Sequence, residues 1–280
     1  MSSNASPEPS PTHPAAYPRL LTAALIATTA LIALGWLAAT PDGVLGKARA
    51  IGYAVCHQIA ARSFHIHDEP LPLCARCTGI YLGIMVGIAL FAARGRLRSA
   101  RLPAVRFLLP LLALAGLIAF DGINSYLSLF DFYTPIYTPH NTLRLFTGLF
   151  AGAAMITIVL PIFNGTVWRA PDAGAPLRGW RDLAALLGGV TLAGLLVLTQ
   201  QTAVLWIAGL LSSLGVLVMF TIIGAVLFLS FTRREGIARR WRDLALPATV
   251  GLAFALALIG GIDAVRYALT GTWEGFDMGG

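Results

Sequence analysis

Charge is scarce in this 280-residue chain: Asp, Glu, Lys and Arg together make up 12% of it, about half the share usual in soluble domains. Lysine is nearly absent, so the basic residues are almost all arginine, and there are only three cysteines. Apolar residues reach 57% and the mean hydropathy is +0.75. A soluble domain of this size has too little interior to hide that much apolar surface, so lipid is the natural solvent for most of it. An ordinary cytosolic enzyme and a disordered protein are thereby excluded. So is a nucleic-acid binder, despite a net charge of +7, because the arginines sit in short links between apolar runs, where membrane topology is encoded. Motifs are missing too. There is no Gly-rich phosphate loop, no Gly-x-Ser-x-Gly elbow and no His-Glu-x-x-His pair, so no nucleotide cofactor is expected. Covalent haem attachment needs a histidine directly after Cys-x-x-Cys, and Thr78 follows Cys77.

What is present is a series of long apolar runs, at 19–39, 75–93, 104–126, 142–163, 182–200, 204–231 and 245–269. Each approaches the roughly 20 residues that cross a bilayer core at 1.5 Å per residue. The fold class expected is therefore all-α, a polytopic transmembrane bundle of about seven helices. The division between the fifth and sixth runs rests on the short polar link Gln200-Gln201-Thr202. Residues 1–18, rich in Pro, Ser and Ala, are expected to form a disordered cytoplasmic tail. The run at 19–39 lacks a small-x-small cleavage site and reads as a retained helix. Residues 19–163 would form a four-helix half with a Cys/His loop at 40–74, and 164–280 a three-helix half.

Arginine distribution sets the orientation. Arg19, the cluster Arg94 to Arg106, the group Arg169 to Arg181 and the cluster Arg233 to Arg242 total 14 of the 20 basic residues. A seven-span topology puts all of them on one side. The positive-inside rule then predicts a cytoplasmic N-terminus, an external C-terminus and a cell-membrane location. The six tryptophans fall near span ends, as an aromatic belt should. Gly79, Gly83 and Gly87 in the second run, and Gly148 with Gly152 in the fourth, recur every four residues. Small residues at that spacing let helices approach closely in lipid.

All three cysteines fall between the first two spans, on the predicted outer side. Cys56 is followed by His57, and Cys74-Ala-Arg-Cys77 opens the second span. Arg62, His65 and His67 lie in the loop between them. A Cys-x-x-Cys pair joined by Cys56 and His57 matches the ligand arithmetic of a Cys3His site for zinc or another transition metal. The same thiols also fit a redox-active pair, Cys74 and Cys77, with Cys56 resolving, or a structural disulfide that leaves Cys56 odd. Other polar residues gather at this end: Asp121 and Asn124 in the third span, His140, Asn141 and Arg144 at the start of the fourth, and Asp263 in the seventh. Ionisable groups at membrane depth pair with one another or line a cavity, so Asp121–Arg144 and Asp263–Arg266 are the expected pairs. The cavity reading makes a small-solute or ion transporter a further alternative.

At these residues the sequence resembles an uncharacterised prokaryotic membrane-protein family, domain of unknown function 2085. The resemblance rests on Cys56-His57-Gln58, Arg62-Ser63-Phe64, Pro72 through Cys74-Ala75-Arg76-Cys77-Thr78-Gly79-Ile80-Tyr81, and Gly83. It continues through Asp121-Gly122, Asn124, Asn141, Leu143-Arg144 and Thr147-Gly148, and covers about residues 50–155. It implies a polytopic membrane protein, with no activity attached.

The orientation generates a direct test. A phosphatase reporter that works only outside the cytoplasm should be active when fused at Gly271 and silent at Gly95. The opposite pattern would invert the topology.

Overall fold

A computed structural model describes residues 18–128 and 134–275; the tail expected at the N-terminus lies outside them, Pro18 excepted. Eight α-helices are found among the described residues: α1 Arg19–Ala39, α2 Gly43–Val55, α3 Ala75–Ala93, α4 Val105–Leu127, α5 Asn141–Val167, α6 Trp180–Leu198, α7 Thr202–Phe231 and α8 Ala245–Thr270. All but α2 are long and apolar enough to cross a membrane, and these seven coincide with the seven runs read from the sequence. The polar link does divide α6 from α7: Gln200 turns the chain in a left-handed conformation, φ 52°.

One segment departs from expectation. Residues 40–74 are not all loop, because Gly43–Val55 coil into α2. Pro41 closes α1, Asp42 stands at the N-cap position, and Leu45, Ala48, Ile51 and Gly52 recur at helical spacing. Thirteen residues span only about 20 Å, too short to cross the bilayer core. The helix instead lies against α7 and α8. Ser213 of α7 donates to the Ala48 carbonyl (3.3 Å). Helix α7 has 30 residues and reaches about 45 Å. Beyond α2, β1 (His65–Ile66) and β2 (Glu69–Pro70) make a small hairpin.

The most extensive helix contact is between α3 and α5, and glycine makes it. Gly79 and Gly83 of α3 meet the backbone of Leu145 and Leu149, while Gly148 and Gly152 of α5 meet that of Arg76 and Ile80. A Cβ at any of the four would overlap a carbonyl oxygen of the facing helix. Around this pair α4 packs on α5, α6 on both, and α7 on α3; α8 joins α7 and carries α1 on its other side. The apolar core follows the same axis through Leu82, Ile84, Leu145, Leu149, Ile156 and Leu186, all at most 5% exposed.

The arginine-rich links form a folded cap at the end opposite the cysteines. Arg94 and Arg96 converge on Asp182. Arg98 lies over the Trp168 ring, 4.2 Å from its centre. Asn164 of α5 donates to the carbonyls of Leu97 (2.9 Å) and Ser99 (2.8 Å).

The glycine seam predicts a contrast within α5. Gly152→Val should lower resistance to denaturation by about 3 kcal/mol, because the added carbons meet backbone. Gly165→Ala, where nothing lies within 4 Å, should change it by less than about 1 kcal/mol. Equal effects in detergent unfolding would contradict backbone-to-backbone packing.

Candidate functional site

The ends of α2 and α3 bring the three cysteines together. Cys56 is the C-cap residue of α2, with extended backbone that turns the chain away. Cys74 is the N-cap residue of α3, and Cys77 lies in its first turn. The three Sγ atoms all lie within 4.8 Å of one another, and the cysteines are free thiols. Cys56 and Cys74 are buried, at 6% and 2% exposure. Their surroundings are apolar: Ile51, Leu73, Val216 and Ile259, with Trp36 and Tyr81 at the margin.

Polar contacts nevertheless reach the sulfurs. The backbone N–H groups of Gln58 (3.4 Å) and Cys74 (3.3 Å) both donate to Cys56 Sγ. Donors aimed at a sulfur favour its anionic form. The three thiols share protons unequally. Hydrogen bonds from Cys56, Cys77 and His57 hold the Cys74 thiol well below its usual range, against the opposing effect of burial. Cys56, which donates to Cys74 and is desolvated as well, is pushed up to about 12.

His57 stands beside the sulfur group and outside it. Its Nδ1 accepts from the Ile59 N–H (3.0 Å), which leaves the ring proton on Nε2 of the neutral imidazole. In that tautomer the ring serves Cys74 as a hydrogen-bond donor.

Arg266 organises the turn that carries Cys56. The last carbonyls of α2 lack partners within their own helix. Arg266 Nη1 donates to the Tyr53 and Cys56 carbonyls (2.6 Å each), and Nη2 to that of His57 (3.3 Å). Its guanidinium also lies over the Tyr53 ring, 3.8 Å from the centre. The pairing of Asp263 with Arg266, expected from their spacing, is therefore not formed. The demand of the α2 carbonyls draws Arg266 away, and Asp263 accepts instead from Trp36 Nε1 (3.2 Å).

The other expected pair is corrected in the same way. Asp121 of α4 binds Arg76 of α3, not Arg144, and accepts from the Tyr137 hydroxyl (2.8 Å). Two positions along α3 from Cys74, helix geometry turns Arg76 away from the sulfurs and toward α4. Arg144 sits in the first turn of α5 and donates to Asn141 Oδ1 (2.9 Å) and Ser125 Oγ (3.1 Å). Asn141 Nδ2 ties the α2–α3 connection to α5 through the carbonyls of Ala61 (3.3 Å) and Ser63 (3.2 Å). Asn124 accepts from the Ile136 N–H (2.9 Å) and donates to the Tyr137 carbonyl (3.0 Å).

The remaining candidate histidines have local duties. His140 caps α5, its Nδ1 accepting from the Leu143 N–H (3.3 Å). His65 is an exposed residue of β1, and His67 holds the hairpin turn at φ 54°. Neither joins the three-sulfur group. Arg62 donates to the Ser125 carbonyl (3.5 Å). Sequence reasoning missed Ser125, Tyr137 and the capping role of Arg266, which depend on contacts between distant segments. Arg76 carried a local signal, being bracketed by the two cysteines of α3.

These features define a polytopic helical membrane protein with an enclosed thiol group at one end of its bundle. A family model described as "Predicted membrane protein (DUF2085)" matches residues 56–158. An uncharacterized protein of Methanocaldococcus jannaschii is 32% identical over 115 residues, which are 41% of this chain and 67% of the archaeal one. The chain belongs to this family. No solved structure matches it. The family segment begins at Cys56 and contains all three cysteines, α3, α4 and most of α5.

Arg266 yields the test of this geometry. Arg266→Gln should lower stability by about 2 kcal/mol, since hydrogen bonds from a charged donor are lost. It should also speed labelling of Cys56 by a small thiol reagent. Unchanged labelling would mean that Arg266 does not hold the turn.

Proposed function

We propose that the protein binds zinc or another thiolate-seeking transition metal through Cys56, Cys74 and Cys77, at the outer face of the cell membrane. The observation that carries this reading is the convergence of three sulfurs within 4.8 Å, with two backbone N–H donors already aimed at Cys56 Sγ. Tetrahedral coordination at about 2.3 Å per sulfur requires sulfurs roughly 3.8 Å apart, a small contraction of the observed group. Burial supports the same conclusion. Three thiolates in apolar surroundings repel one another strongly, and a divalent cation removes that cost. The arginine asymmetry between the two ends supports the outer-face assignment.

Three protein ligands leave a fourth position for an exogenous group, the pattern of sites that use or transfer their metal. His57 serves this site by donating to Cys74, which orients a coordinating sulfur and moderates its basicity. Asp121, Asn141 and Arg144 form a separate polar network beside the site, and Asp263 supports Trp36 on its other flank. Thiol–disulfide exchange is the competing use of the same residues. It requires a partner thiol to reach Cys74, and an exposure of 2% opposes that approach.

Metal content decides between the two. The purified full chain should carry about one metal ion per molecule, with its thiols unreactive until a chelator is added. Cys56→Ser should purify without metal while remaining folded. A metal-free wild type in which one thiol reacts and two are joined by a disulfide would reject the metal reading in favour of the redox one.

A further inference from the structure

Three arginines from three separate elements converge on two successive turns of α4. Arg76 of α3 reaches Asp121. One turn further along, Ser125 accepts from Arg144 of α5 at its hydroxyl (3.1 Å) and from Arg62 of the α2–α3 connection at its carbonyl (3.5 Å). The charges do not balance. Guanidinium groups stay protonated in proteins, and Asp121 is the carboxylate that meets this group among the described residues. Arg62 and Arg144 are held by neutral oxygens of Ser125 and Asn141, which orient a cation without compensating its charge. Cys74, on the neighbouring sulfur site, raises the proton affinity of Arg62, attracts Arg144 and so offsets part of this excess, leaving the rest uncompensated.

Burial makes the excess costly. Arg144 is only 7% exposed, and the Arg76 side chain 20%. Burial, and then repulsion from Arg76, lowers the proton affinity of Arg62. The Nε atoms of Arg76 and Arg144 are buried and without a hydrogen-bond partner among the described residues. Unused donors on converging, mutually repelling cations call for an anion.

We propose that Arg62, Arg76 and Arg144 form an oxyanion site that takes a phosphate group. Forked guanidinium donors match phosphate oxygens two at a time. Arrival from three elements suits a tetrahedral acceptor, whereas a planar carboxylate offers oxygens in one plane only. The site is independent of the sulfur group, and no metal is needed to fill it. A free phosphate and a phospholipid headgroup present the same chemistry, and the location at one end of the bundle lies within reach of both.

The test uses the full chain in two settings. Delipidated protein in a phosphate-free maltoside detergent is titrated calorimetrically with inorganic phosphate, with chloride as the control. Protein in nanodiscs of phosphatidylglycerol or phosphatidylcholine is released and its retained lipids are counted by native mass spectrometry. Saturable phosphate binding identifies a soluble ligand; selective retention of phosphatidylglycerol identifies a headgroup. In whichever setting binds, Arg62→Gln should weaken binding about tenfold, the loss of one charge-assisted hydrogen bond. Arg144→Lys, which keeps the charge and loses the fork, should weaken it as well. Helix content and elution volume verify the fold of each variant, and Arg62→Gln decides if Arg144→Lys misfolds. Absence of binding in both settings, or undiminished binding by the folded variants, would overturn the proposal.

Discussion

The close approach of α3 and α5 is the contact on which the rest of the molecule depends. Four glycines let the two backbones touch, and neither helix can turn or slide without driving a carbonyl into its neighbour. Van der Waals contact of this kind does in lipid what the hydrophobic effect does in water. It fixes the rotation of α3, and rotation decides what its first turn presents. Cys74 and Cys77 are directed to α2, α7 and α8, while Arg76 is directed to α4. The same register sets the start of α5, so that Arg144 and Asn141 meet Ser125 and the α2–α3 connection.

The polar chemistry of this end then divides into two adjacent compartments. On one side a short helix, α2, closes over α7 and α8 and delivers Cys56 to the cysteines of α3. Arg266 holds that delivery by occupying the carbonyls at the C-terminal end of α2, where a cation also complements the helix dipole. On the other side the arginines gather around Asp121 and Ser125. One compartment concentrates negative charge on sulfur and the other concentrates positive charge on guanidinium. Each is stabilised by the neighbourhood of the other: the Cys74 thiolate attracts Arg62.

The fold was largely legible in the sequence because lipid imposes a length rule, and seven apolar runs satisfy it independently of any tertiary contact. The cysteine group was legible for a related reason. Two of its members share a helix face three residues apart, and the third precedes a short connection. The misreadings all concern residues whose partners are distant in sequence. Asp121 and Arg144 were matched because both end spans at the same face, yet the glycine seam puts Arg76 nearer to the acid. Asp263 and Arg266 were matched by helical spacing, yet the unpaired carbonyls of α2 compete for the arginine. The helix α2 itself was hidden because its amphipathic pattern is short and interrupted by Gly46 and Gly52.

The central claim is that three sulfurs of this bundle hold one metal ion. X-ray absorption at the metal edge of the purified full chain tests it most directly. The expected result is a first coordination sphere with three sulfur scatterers at about 2.3 Å and a fourth, lighter neighbour. A sphere of nitrogen and oxygen alone, or protein that carries no metal while its thiols remain free, would contradict it.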